Sequence, residues 1–117
     1  MDCYGLLDLS ENKAILFVPK LDNLYRIWMD FDSKETQMTK YGIEVRYLED
    51  LESTLASYTG TMFVNEGVNS DSNLTPQIPD NKYLEGRKVN KEHLFDILAE
   101  SRVIKNNEEV EALRWAS

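Results

Sequence analysis

The sequence predicts a mixed α/β domain: one mixed β-sheet covered by helices. Three observations predict it. Two apolar, β-prone runs, residues 3–9 and 14–18, flank the polar stretch Ser10-Glu11-Asn12-Lys13. Ile43, Val45 and Tyr47 alternate with Glu44 and Arg46, the period of a strand with one covered face. Segments with helical spacing lie between the β-prone runs, so a hairpin is combined with crossover connections, and a mixed sheet under helices accommodates both.

Each element follows from its residues. The first two runs form a β-hairpin, and Pro19 ends its second strand because proline cannot donate to the ladder. Asp22 caps a short helix reaching Met29, with Leu24, Ile27 and Trp28 on adjoining faces. Ser33 caps a helix over 34–41 that stops at Gly42. After the strand at 43–47, Leu48, Leu51, Leu55 and Tyr58 recur at helical spacing, which predicts an amphipathic helix over 49–58 closed near Gly60. Thr61 to Val64 is a short buried-type strand. Residues 65–82 contain Pro76 and Pro79 with many Asn, Asp and Ser, and read as a long surface loop. Asn90 caps a helix over 91–101 with Leu94, Phe95 and Leu98 inward. Asn107 caps a last helix whose Glu108, Glu109 and Glu111 suit the positive end of its dipole, with Val110 and Leu113 as its apolar stripe.

Composition narrows the function classes. The 117 residues carry 21 acidic and 13 basic side chains, a net charge of -8, with 42% hydrophobic residues. That length is one domain or less, and burial of roughly two-thirds of the extended-chain surface provides a core. The apolar content excludes a disordered acidic tail. A nucleic-acid surface works through Lys and Arg neutralising phosphates, and a carboxylate surplus opposes this, as it opposes an anionic membrane surface. The longest apolar run, Ala14 to Val18, is far short of a membrane span. Cys3 is the single cysteine, so no intrachain disulfide forms, and Met1-Asp2-Cys3 opens no signal peptide; a cytoplasmic location is the expectation. The sequon Asn73-Leu74-Thr75 is then silent.

Chemical sites are weakly indicated. His93, the single histidine, shares a helix face with Asp96 and Glu100, a conceivable His/carboxylate metal site, although a solvated helix face explains the same pattern. Asn69, Asp71, Asn73, Thr75 and Asp80 fall at calcium-loop offsets, but Leu74 stands where the sharp turn needs glycine. Cys3 reads as a small buried hydrophobe, without a histidine nearby in sequence. The five glycines are too scattered for a phosphate cradle. The run Leu24-Tyr25-Arg26-Ile27-Trp28-Met29 holds too many large apolar groups for one helix face. Trp28 and Met29 are therefore candidate interface residues, against the alternative of a core aromatic. Val110, Leu113 and Trp115 raise the same question on the last helix.

Several colinear stretches resemble the amino-terminal domain of the Xaa-Pro dipeptidases (prolidases), in the creatinase/aminopeptidase P family. They are Asp2-Cys3-Tyr4-Gly5, Leu16-Phe17-Val18-Pro19-Lys20-Leu21, Trp28-Met29, Ser33-Lys34-Glu35 followed by Tyr41, and Gly67-Val68-Asn69-Ser70-Asp71-Ser72. The run Glu100-Ser101-Arg102-Val103-Ile104-Lys105, with Glu109, Glu111, Leu113-Arg114 and Ala116, resembles that family's junction between two domains. The resemblance implies a ribonuclease-H-like α/β fold over 1–105, truncated at its start because the family has earlier strands in the same sheet. It makes 106–117 the start of the helix linking to a catalytic domain outside these residues. The implied partners are a second copy in a homodimer and that catalytic domain. The domain would carry a dinuclear metal site, usually manganese, whose ligands match no residue here. Catalytic and metal residues are thus expected to be none in this chain, with no dipeptidase activity from it alone. Trp28 matches the position of an aromatic that, in the family, approaches the partner subunit's active site. The alternative is a stand-alone protein-interaction module derived from a peptidase domain. The final helix discriminates: a stand-alone module buries it, and a part of a larger protein leaves Val110, Leu113 and Trp115 partly exposed.

Overall fold

The computed structural model describes residues 3–75, 78–79 and 81–117. The chain divides into two compact units, residues 1–59 and 60–117. Both are α/β, as the sequence predicts, but the strands of the described residues form two separate sheets and not the one mixed sheet expected, because the two strands of the second unit pair with each other and not with the three of the first.

In the first unit, β1 (Tyr4–Asp8) pairs antiparallel with β2 (Lys13–Val18), placing Leu6 opposite Ile15 and Asp8 opposite Lys13. The polar turn is held by one carboxylate. Asp8 Oδ1 accepts from the Ser10 backbone N–H at 2.9 Å, the Ser10 hydroxyl at 2.6 Å and the Glu11 N–H at 3.2 Å. Asn12 takes the left-handed conformation, φ 49°, that closes the hairpin. These donors, the Ser10 hydroxyl first, hold the Asp8 carboxyl below its ordinary range, and the Tyr58 hydroxyl adds to them. Burial, with Asp8 second, pushes the Tyr58 phenol up.

β2 continues by a crossover into β3 (Glu44–Tyr47), which lies parallel to it in the order β1-β2-β3. The crossover holds a 3₁₀ helix (Asn23–Ile27) and α1 (Lys34–Tyr41). α1 starts and stops as its sequence dictates. Ser33 Oγ accepts from the Thr36 N–H at 3.2 Å. Gly42, at φ 66°, takes the left-handed cap and donates its N–H to Met38 O at 3.0 Å. The segment expected as one helix over 49–58 is instead a 3₁₀ turn (Leu48–Asp50) and α2 (Leu51–Ala56), capped at Ser57 rather than near Gly60. Side-chain hydroxyls compete for the helix carbonyls there: Thr54 donates to Asp50 O at 2.7 Å and Ser57 to Thr54 O at 2.7 Å.

Residues paired across strands share a face. Ile15 and Phe17 therefore lie with Glu44 and Arg46 on one face, and Leu16 and Val18 with Val45 and Tyr47 on the other. Phe17 is fully buried and Val45 nearly so, hence both faces of the sheet are covered. Alternation in 43–47 predicted one covered face; the other is covered as well because its charged pair is tied down. Arg46 Nη1 donates to the buried Thr54 hydroxyl at 2.8 Å, anchoring α2. Arg46 Nε and Lys13 Nζ each pair with Glu44 at 2.5 Å. On the Val45 face, Lys34 Nζ of α1 sits 5.3 Å from the centre of the Tyr47 ring.

This network predicts an acid response. Lys13 first and Arg46 second hold the Glu44 carboxyl below its ordinary value of 4.5. A lowered folded-state value contributes stability that is present above the unfolded value and is lost as pH falls through the folded one. Urea midpoints should thus be flat from about pH 7 to 5 and fall below about pH 4.5. Glu44→Gln should flatten part of that fall while lowering the neutral-pH midpoint. An unchanged acid limb in this variant would remove Glu44 from the account.

In the second unit, β4 (Met62–Phe63) pairs parallel with β5 (Val89–Asn90). The Met62 N–H donates to Lys88 O at 2.8 Å and the Val64 N–H to Asn90 O at 3.0 Å. Among the described residues, Val64 and Leu84 are its buried apolar side chains. Its helices are α3 (Asn81–Leu84), α4 (Leu94–Ser101) and α5 (Asn107–Ala116). The loop expected over 65–82 has no helix or strand through Thr75, and α3 takes its last two positions. Residues 76, 77 and 80 of that loop lie outside the described residues.

Two predicted caps move. Asn90 belongs to β5 and does not cap a helix over 91–101. Its side chain accepts from the Glu92 N–H at 3.1 Å and the His93 N–H at 3.3 Å, an Asx turn that delays α4 to Leu94. The last helix is capped by Asn106, not Asn107. Asn106 Oδ1 accepts from the Glu109 N–H at 2.8 Å, and Glu109 Oε2 accepts from the Asn106 N–H at 2.8 Å. A reciprocal box needs its acidic partner three residues on, and Asn106 has Glu109 there.

Candidate interaction surfaces

The first candidate surface is built by the segment after β2. Asp22 begins it in extended conformation, and its Oδ1 accepts from the Leu24 N–H at 2.9 Å. Backbone bonds of three-residue span follow: the Tyr25 N–H donates to Asp22 O at 2.9 Å and the Trp28 N–H to Tyr25 O at 3.0 Å. The helix expected through Met29 is therefore a 3₁₀ helix ending at Ile27, the form short segments adopt when no neighbour buries a face. Leu24, Tyr25, Ile27, Trp28 and Met29 are all exposed, Trp28 by 86% and Ile27 by 72%. The structure thus places Trp28 and Met29 on the surface and not in a core. Apolar groups gathered in one short segment mark an interaction surface more than scattered ones do.

The second candidate surface is α5. Val110 is half-buried, Leu113 exposed, and Trp115 exposed by 90%. At about 100° per residue Val110 and Leu113 share a stripe, whereas Trp115 lies about 200° around the axis from Leu113. The three sequence candidates therefore occupy two sides of one helix. Val103 and Ile104, just before it, are also exposed.

The candidates for chemistry are dispersed. His93 stands at the entry to α4 and is exposed, as are Asp96 and Glu100 within it. No group of three or more His, Cys, Asp or Glu side chains is placed to hold a metal among the described residues. In the calcium-like stretch Asn69 builds a turn: its Oδ1 accepts from the Asp71 N–H at 2.9 Å, the Ser72 N–H at 3.0 Å and the Ser72 hydroxyl at 3.2 Å. The Asn69 N–H donates to Leu74 O at 2.9 Å and closes the loop. Asp80 lies outside the described residues. Cys3 is exposed, not buried as the apolar run suggested, because β1 begins one residue later. No helix among the described residues is long and apolar enough to cross a membrane.

Among the described residues the two mixed α/β units expose their tryptophans and gather no metal-ligating cluster. Comparison with known proteins sharpens this. No family model matches. The chain is similar to Xaa-Pro dipeptidases over nearly its whole length. It is 33% identical over 118 residues to one from Mus musculus and to one from Pongo abelii, covering 98% of this chain and 24% of each of those proteins. It is 32% identical, with the same coverage, to one from Homo sapiens. The resemblance carried by the quoted stretches thus extends across the chain, which spans about a quarter of the length of these curated relatives.

Proposed function

We propose that this chain is a non-catalytic, amino-terminal part of a metal-dependent Xaa-Pro dipeptidase, serving dimerisation and access to the active site. The observation that carries the reading is the colinear similarity over 98% of the chain to proteins four times longer, combined with an exposed Trp28. The mixed three-stranded sheet and the parallel two-stranded sheet are compatible with a ribonuclease-H-like amino-terminal domain. In this reading the Trp28 segment meets a second copy, and the Val110/Leu113 side of α5 adjoins the catalytic domain. That domain would hold the dinuclear manganese, which would supply an activated water for hydrolysis of the bond before proline. A cytoplasmic location follows the same reading. The exposure of Leu113 and Trp115 favours it over a self-contained module with a buried last helix.

The test is self-association of the chain, measured by sedimentation. A central tryptophan in an interface contributes about 2 kcal/mol or more, so Trp28→Ala should raise the dissociation constant at least about thirtyfold. The side chain is exposed, so the fold should survive. A wild-type chain that stays monomeric at tens of micromolar, or a variant with unchanged association, would overturn the dimerisation role.

A further inference from the structure

We infer that Asp22 is a positioning residue for Trp28: its side chain fixes the shape of the segment that presents the indole. This rests on the reading of Trp28 as a partner contact and deepens it. Residues 22–25 and 27–30 are all exposed, so burial of these side chains does little to hold the segment in one conformation. Hydrogen bonds define its path. Asp22 Oδ1 accepts from the Leu24 N–H at 2.9 Å and Asp22 O from the Tyr25 N–H at 2.9 Å. Tyr25 O then accepts from both the Trp28 and the Met29 N–H groups at 3.0 Å. Asp22 thus holds the turn at two points, its carboxylate at Leu24 and its carbonyl at Tyr25, and Tyr25 O carries the path on to the backbone of Trp28.

Asp22 has the extended backbone of a cap, φ -66° and ψ 145°, and satisfies an N–H that the short 3₁₀ helix cannot satisfy itself. Without it the turn competes with open conformations in which Trp28 points elsewhere. A partner would then have to order the segment on binding, and that ordering is subtracted from affinity. Aspartate and asparagine cap about equally well, whereas alanine does not. The cap can therefore be separated from the charge.

The experiment uses the full chain carrying Trp115→Phe, so that emission comes from Trp28 alone. Time-resolved anisotropy reports indole motion, and sedimentation reports association. Asp22→Ala should enlarge the fast anisotropy component and weaken association about fivefold, the equivalent of a cap worth about 1 kcal/mol. Asp22→Asn should restore both. Unchanged anisotropy in Asp22→Ala overturns the positioning role, and so does an Asp22→Asn variant that behaves like Asp22→Ala. If Asp22→Ala loosens the indole while Trp28→Ala leaves association intact, positioning stands and the partner-contact reading falls. If Trp28→Ala weakens association while Asp22→Ala changes neither readout, the positioning role alone falls.

Discussion

Phe17→Ala is expected to destabilise the first unit by about 3–5 kcal/mol, the range for emptying a buried phenylalanine site. Phe17 lies in β2, the central strand of the three-stranded sheet, and has no solvent exposure. Both neighbouring strands fix its position, with Tyr4 opposite on β1 and Arg46 opposite on β3. The sheet cannot collapse around the lost ring without shifting two registers, so the cavity persists and the cost stays near the upper end. A domain of ordinary stability holds about 5–15 kcal/mol in total, so the loss is a large fraction of it. Amide exchange in β1, β2 and β3 of the full chain measures it locally. Phe17→Leu, which retains most of the volume, should cost much less. A loss below about 1 kcal/mol in Phe17→Ala would show that β2 is not the centre of this core.

Gly67→Ala should be the second large effect, and it acts in the other unit. A Cβ built on Gly67 would collide with Cγ of Phe95 and lie 2.5 Å from its Cδ1. The backbone of Gly67 is not in the left-handed region, so an alanine is excluded by space and not by conformation. The Cγ end of the Phe95 ring meets the glycine, and the first helical turn of α4 carries it. Relief requires moving the ring or lifting the loop that begins at Gly67. Overpacking of this kind costs about 1–3 kcal/mol, and more where backbone must shift. Exchange protection in α4 and the melting temperature of the chain report the loss. Phe95→Leu added to Gly67→Ala should recover much of it by opening room for the methyl group. If the double variant is no better than Gly67→Ala, the ring contact is not the reason for glycine.

The second prediction also gives Gly67-Val68-Asn69-Ser70-Asp71-Ser72 a physical content. The glycine admits the Phe95 ring, and Asn69 folds the following residues into a closed turn. This stretch is one of those by which the chain resembles Xaa-Pro dipeptidases. In this structure its described hydrogen bonds are spent on the loop's own geometry, not on presenting ligands.

The local chemistry of the chain determined much of what is found. The apolar runs around Ser10-Glu11-Asn12-Lys13 specify the hairpin, because strand propensity and a polar turn act between near neighbours. Ser33 and Gly42 mark the limits of α1, because a cap acts within one helical turn. The excess of large apolar residues over 24–29 signalled exposure, since no single face could bury them all. Relatedness to Xaa-Pro dipeptidases was legible from colinear stretches. Other features were decided by the tertiary structure. β5 holds one apolar residue, Val89, and becomes a strand because β4 offers it a backbone ladder at Lys88 and Asn90. That pairing also converts Asn90 from a helix cap into a turn residue. Glu44 and Arg46 looked like a solvent face, and are half-buried because Thr54 of the following helix and Lys13 of a distant strand meet them. The place of a cap one residue earlier, at Asn106, depended on which asparagine could reciprocate with a glutamate. Periodicity and capping propagate over three or four residues, and the sequence states them directly. Pairing between segments and the neutralisation of a charge by a distant partner exist only once the chain has brought those segments together.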